Sequence, residues 1–431
     1  MAKFVNNRSK MAALTLALVS ACAFHSSAAL AQSGSSASNT KAADIAPATL
    51  NPEIAKAVKA AQDFAAAKDY PSALAKLAET DSIANKTPYE IFAVERTRGD
   101  YLLAKGDKDN AAKAFVAVVE TKYLKLADQL NLMQIIGQLY FQSGNYPSSI
   151  SWLTRYHTEG GTDSRSYPLL TQAYYLNKEY ALAYKGISAQ VQAEIAAGKV
   201  PSEQSLKLVY SCISQMNDKE GTLKAVEQLN SYYPSAKNWT YLINQTQTKP
   251  GFSDRLYLDL YRLKQELGLL TVAAEIVDMS ETATRAGLPA EAKKALDQGF
   301  AAGILGKGAD AKKHADLLAA ATRRAADDLK TMPQGEAGAA KSKDGTGLVN
   351  LGMAYATSGQ YDKGISLIEQ GITKGGLARL EEAKLHLGLV YFWAGQKDQA
   401  IKQLQTVQGA DGIGDLARYW VMEINHPLLS K

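Results

Sequence analysis

A chain of 431 residues has room for two or three separate cores or for one long repeat array, and its plentiful Ala, Leu, Lys and Gln with scarce Pro points to an all-α protein. The formal charge of +5 overstates its basicity: without Lys3, Arg8 and Lys10, which lie in a segment read below as removed, the 48 basic side chains come down to 45 against 43 acids. That balance implies no basic face for nucleic acid, and no nucleic-acid partner is expected.

The chain begins as an export signal does. "MAKFVNNRSK" is the positive part, "MAALTLALVSACAF" the apolar part, and "ALA" (Ala29 to Ala31) offers small residues for cleavage before Gln32, so residues 1–31 read as a signal peptide and the destination as the periplasm. The apolar part is too short for a permanent membrane helix, and no integral membrane span is expected. "VSAC" (Val19 to Cys22) supports a second outcome, a lipid anchor on Cys22 and an outer-membrane lipoprotein. Residues 32–50, rich in Ser and Ala, read as a flexible leader. After cleavage at Ala31 only Cys212 remains; set among Leu208, Val209 and Ile213, it reads as a small buried apolar residue.

From Asn51 the chain repeats itself. "FAAAKDYPSALAKL" places Phe64, Tyr70, Ala73 and Leu77; the next stretch places Gly99, Gly106, Ala111 and Phe115 in the same register. "NLMQIIGQLYFQSGNYPSSISWL" follows with Gly137, Tyr140, Gly144, Ser149 and Leu153, then Leu170, Tyr174, Tyr180, Ala183 and Ile187, and a weaker unit with Thr222, Val226 and Pro234. Lys237 to Leu270 fits poorly, although "RLYLDLYRLKQELGLL" is amphipathic. A unit with Gly287, Ala292 and Leu296 precedes a helix expected to stop at Pro333, which closes the array of residues 51–333. "QGEAGAAKSKDG" then reads as a linker or exposed loop within residues 334–346. Residues 347–431 hold two strong units, with Gly352, Tyr355, Gly359, Gly364 and Ile368, then Gly388, Tyr391, Gly395, Ala400 and Leu404. "GDLARYWVMEIN" follows as a capping helix.

Glycine costs a helix interior about 1 kcal/mol relative to Ala, so its recurrence needs a reason. The first glycine of each strong unit lies where two helices of a pair must approach closely. The second lies where the first helix ends and a left-handed residue is wanted. The pattern L-G-x-x-Y followed by a small residue and a large apolar one resembles the tetratricopeptide repeat, strongly so in the units of Gly137, Gly352 and Gly388. That resemblance implies an all-α, right-handed superhelical solenoid whose concave face binds polypeptide. Trp239 with Leu242, "LDLYRL" (Leu258 to Leu263), Gly268 and the stretch Ala286 to Gly299 further resemble exported repeat proteins that accompany TonB–ExbB–ExbD systems. This implies an accessory role in energised outer-membrane transport.

No catalytic or cofactor fingerprint occurs, and His157, His314, His386 and His426 lack metal-ligand spacing, so no catalytic residue, cofactor or metal is expected. Repeats occupy almost the whole chain and leave no place for an appended catalytic domain. The resemblance places the groove on Asn131, Gln134, Gln138, Phe141, Gln142, Arg165, Gln172, Tyr175, Gln204, Lys207 and Gln215. A row of amides both donates and accepts and can pair with the backbone of an extended peptide. The last two units put Val349, Met353, Leu385, Leu389, Phe392 and Trp393 at the same places. So apolar a surface is either covered by neighbouring chain, such as "INHPLLSK", or binds an apolar partner. The reading is a non-catalytic scaffold for an envelope protein or peptide. The alternatives are a subunit of a polysaccharide-export or outer-membrane-assembly machine, or a cell-wall enzyme with a degenerate superhelix.

Overall fold

The computed structural model describes residues 49–428; the expected signal peptide, Cys22 and the expected leader up to residue 48 lie outside the described residues. Within them are twenty α-helices, three short 3-10 turns and no strand. Five pairs come first: α1 (Pro52–Ala66) with α2 (Tyr70–Ala78), α3 (Pro88–Lys105) with α4 (Lys108–Glu120), α5 (Leu126–Gln142) with α6 (Tyr146–Thr158), α7 (Ser166–Leu176) with α8 (Tyr180–Ala196), and α9 (Glu203–Gln215) with α10 (Lys219–Tyr232). An irregular pair, α11 (Ala236–Gln247) and α12 (Tyr257–Glu266), leads to α13 (Ala273–Arg285) and α14 (Pro289–Ala301). The long α15 (Ala311–Lys341) stands alone before α16 (Thr346–Thr357) with α17 (Tyr361–Lys374), α18 (Leu380–Trp393) with α19 (Lys397–Leu404), and α20 (Ile413–Asn425). None of these helices is long and apolar enough to cross a membrane.

The glycines do what their spacing predicts. A β-carbon added to Gly137 would stand 2.6 Å from Cγ of Leu153, one on Gly352 2.6 Å from Cγ1 of Ile368, and one on Gly388 2.6 Å from Cγ of Leu404. The second helix of each pair thus seats its large apolar residue in a notch of the first. Its small residue lets the backbones touch: Ser149 Oγ donates to the carbonyl of Gly137 at 2.8 Å.

At the turn, Gly144 has φ of 80°, and Lys68, Lys178 and Asn217 hold the same left-handed place in units without the glycine, at 60°, 64° and 58°. The next residue caps the second helix. Asp69, Asp107, Asn145 and Asp218 accept from the backbone N–H groups of Ser72, Asn110, Ser148 and Gly221.

Two features depart from the sequence reading. Helix α15 runs through Pro333 to Lys341, so the expected linker from Gln334 is largely helix. A proline inside a helix removes one backbone bond, and packing outweighs that loss here. Met332 is buried, Glu336 accepts from the Tyr355 hydroxyl and pairs with Lys363, and Lys374 donates to the carbonyl of Ala340 at 2.6 Å.

The capping helix also does more than cover α18 and α19. α20 turns back onto α10 and α12, so the chain from α10 to α20 closes on itself. Trp239 stands edge-on to Tyr419 at 5.9 Å, and Trp420 meets Phe392 at 5.6 Å. Lys249 reaches Asp415 at 2.7 Å, and Arg255 joins Glu382 and Asp411 at 2.5 Å each.

Candidate functional site

Successive first helices touch at α1–α3, α5–α7 and α16–α18, whereas contacts at α3–α5, at α7–α9 and between successive second helices are slighter. At those three steps the first helices lie on the closer, inner side of the array. In the register set by the notch glycines, Arg96, Asp100 and Leu103 of α3 match Gln134, Gln138 and Phe141 of α5, and Gln172 and Tyr175 of α7 match the last two.

The hollow of α3, α5, α7 and α9 combines an amide row with a ring row. Gln138 and Gln172 are half-buried and no bond holds their amides among the described residues, whereas Gln134 donates to Asp163 at 3.1 Å. Asn131, Gln142, Gln204 and Gln215 are exposed; Lys207 is exposed too and pairs with Glu203 at 2.7 Å. Arg165 stands at the N-cap of α7, outside the row, and grips Asp163 at 2.7 Å. Phe141 leans edge-on against Tyr146 at 5.6 Å and Tyr175 against Tyr180 at 5.5 Å, so each ring is held upright by the first residue of the following helix. The Tyr175 hydroxyl lies beside Ser211 of α9, and burial pushes its pKa up.

Leu103, 41% exposed, extends the ring row onto α3. Sequence reading passed over it, although the glycine register marks its place. Asp100 lies in the amide row, bound to Arg96 at 3.3 Å. Its side chain stays half open to water, yet crowding by the surrounding helices pushes its carboxyl up against the pull of Arg96.

The apolar places of the last two units are differently disposed. Val349, Met353, Leu385 and Leu389 are all buried, Met353 at 3% and Leu389 at 0% exposure. Of the two outcomes weighed for them, cover by the chain itself is the one observed. The cover over Leu385 and Leu389 comes mainly from α11, α12 and α20, with Leu428 of "INHPLLSK" adding to it. Phe392 lies against Trp420, while Trp393 lines a separate cleft.

Beneath that cleft lies an ion network that sequence reading missed. Arg262 donates from Nε and Nη2 to the two oxygens of Glu291 at 2.7 Å each, and from Nη1 to Asp259 at 2.6 Å. His386 Nε2 stands 3.2 Å from Arg262 and 3.1 Å from Asp259. Burial would raise the Asp259 carboxyl, but His386 and Arg262 together bring it below its ordinary value. The available signal was an acid and a base three residues apart within "LDLYRL", where leucines mark a buried face. Cys212 is fully buried, and desolvation pushes its thiol up to about 12, away from reactivity.

No family model matches this chain, and no curated protein matches it either. Solved structures similar to it include a tetratricopeptide repeat protein from Parabacteroides merdae, 11% identical over 79% of this chain and 99% of that one, with a TM-score of 0.28. The TPR2AB domain of yeast Sti1 in its pHSP90 complex is 14% identical over 69% and 99%, with a TM-score of 0.22. Yeast Tom70 is 11% identical over 86% and 95%, with a TM-score of 0.24. The chain is an all-α array of helix pairs that repeat one notch and one left-handed turn.

Proposed function

We propose that the chain is a non-catalytic scaffold, exported to the periplasm, that holds an extended segment of an envelope protein in the hollow of α3, α5, α7 and α9. One observation carries the reading: the unbonded amides of Gln138 and Gln172 stand beside the braced rings of Phe141 and Tyr175 on successive first helices. Amides can pair with a peptide backbone whatever its sequence, and rings held in one rotamer lose little entropy on binding. Export rests on the composition of the first 31 residues, with a lipid anchor at Cys22 as the other outcome. An accessory role in TonB-type transport rests on the resemblance around Trp239, Leu258 to Leu263 and Ala286 to Gly299.

The test is selection of extended peptides on the purified chain, followed by titration of the selected peptide against variants. Phe141→Ala with Tyr175→Ala should weaken binding by roughly a hundredfold, the effect of losing two aromatic anchors, with helical circular dichroism unchanged. Binding that survives the double substitution overturns the reading.

A further inference from the structure

The step from α5 to α7 carries a repeat of its own. Each helix presents an amide and a ring three residues apart, Gln138 with Phe141 and Gln172 with Tyr175, and all four side chains are half-buried. Each ring is braced edge-on, one by Tyr146 and the other by Tyr180. The two first helices touch here, and helices in contact stand about 8–10 Å apart. A segment lying across them therefore meets one ring and one amide at each interval of about 8–10 Å.

Three backbone conformations differ in how they meet that interval. A β-strand returns a side chain to one face about every 7 Å and next at about 14 Å, so it would seat one ring and miss the other. An α-helix returns after seven residues, about 10.5 Å on, but its backbone groups are bonded internally and offer nothing to the amides. A polyproline II helix turns once in three residues, rises about 9 Å in doing so, and leaves its carbonyls unbonded. It alone brings an apolar group to each ring and a carbonyl to each amide at the helix interval. The NH2 of a glutamine donates, which suits proline, a residue with a carbonyl and no N–H. Charge agrees with an uncharged segment: from Asn131 to Gln142 and from Ser166 to Asn177 there is no charged side chain. Arg165 and Asp163, at the entry to α7, are spent on each other at 2.7 Å.

We infer that the segment held at this step is an uncharged polyproline II helix with proline at every third residue, its prolines on Phe141 and Tyr175 and its carbonyls on Gln138 and Gln172. The inference rests on the groove reading above and names the class and conformation of the segment held. A helix already formed in solution loses little entropy when it docks on aromatic rings.

The experiment is calorimetric titration of the full chain with three acetylated nonapeptide amides. One is nonaproline; the other two share a composition of three prolines and six serines, with proline at every third residue in one and at every second residue in the other. Nonaproline should bind, and the every-third peptide should bind at least roughly tenfold more tightly than the every-second one, the margin of one ring left empty. Gln138→Ala with Gln172→Ala should weaken nonaproline by roughly tenfold through the loss of two donors, with helical circular dichroism intact. Added salt should leave the affinity unchanged, since no charge takes part. Equal binding of the two spaced peptides, or no binding of nonaproline, overturns the inference. If peptides selected on the chain still depend on Phe141 and Tyr175 in that case, the groove reading stands and the polyproline II assignment alone falls. If no selected peptide depends on those rings, both fall.

Discussion

Leu153 fills the place that a side chain on Gly137 would need: a β-carbon there would stand 2.6 Å from the leucine Cγ. The same interval joins Gly352 to Ile368 and Gly388 to Leu404, and Gly99 to Phe115 more tightly still. Gly137→Ala should gain helix propensity yet lose more to overpacking, a net cost of about 1–3 kcal/mol in chemical denaturation. Adding Leu153→Ala should remove the clash, so the double variant should fall short of the sum of the two single losses. Additive losses would place the notch elsewhere.

Lys178 occupies with φ of 64° the turn place that Gly144 fills at 80°. A left-handed residue with a β-carbon costs roughly 1–2 kcal/mol, which glycine avoids. Lys178→Gly should therefore raise the unfolding free energy from chemical denaturation by about 1 kcal/mol once the entropy of the glycine is counted. Gly144→Lys should lower it by a similar amount.

Glu423 is buried on α20, faces Glu266, and accepts from the backbone N–H of Leu428 at 3.1 Å. Burial, only partly opposed by that N–H, pushes its pKa from 4.5 up to about 7. The folded state thus holds a proton that the unfolded state releases above pH 4.5. Stability from this group is full below that value and is lost as pH rises through about 7. Between pH 5 and 8 the loss should be on the order of 1–3 kcal/mol, and Glu423→Gln should flatten it. Denaturation curves at the two pH values measure both.

Arg262 is the only base bonded to Asp259 and Glu291 among the described residues apart from His386 beside Asp259. Arg262→Met leaves two buried acids facing each other and should cost roughly 3–5 kcal/mol. Adding Asp259→Asn and Glu291→Gln should recover most of it. A triple variant no better than the single one would show that the arginine acts through its packing.

The helix pairs were legible because their geometry is local. A notch needs a residue without a side chain, a turn needs a left-handed residue, and both recur at fixed spacing, as Gly137 and Gly144 do. The helix through Pro333 was not legible, since local propensity stops there and contacts from Tyr355, Lys363 and Lys374 override it. Closure of the array was invisible for a related reason: it joins Trp239 to Tyr419 and Lys249 to Asp415, pairs far apart in the chain with no periodic signature. The groove rows followed from register alone. The cleft beside Trp393 did not, because its walls come from five helices spread across the second half of the chain.

The most direct measurement places a photoreactive residue in living cells at Gln138 or Gln172 in the hollow, and at Ser151 or Lys185, exposed on the second helices. The expected result is one discrete crosslinked partner from both hollow sites, lost with Phe141→Ala and Tyr175→Ala, and none from the outer sites. Equal crosslinking from the outer sites, or from the outer sites alone, would contradict a hollow that grips polypeptide.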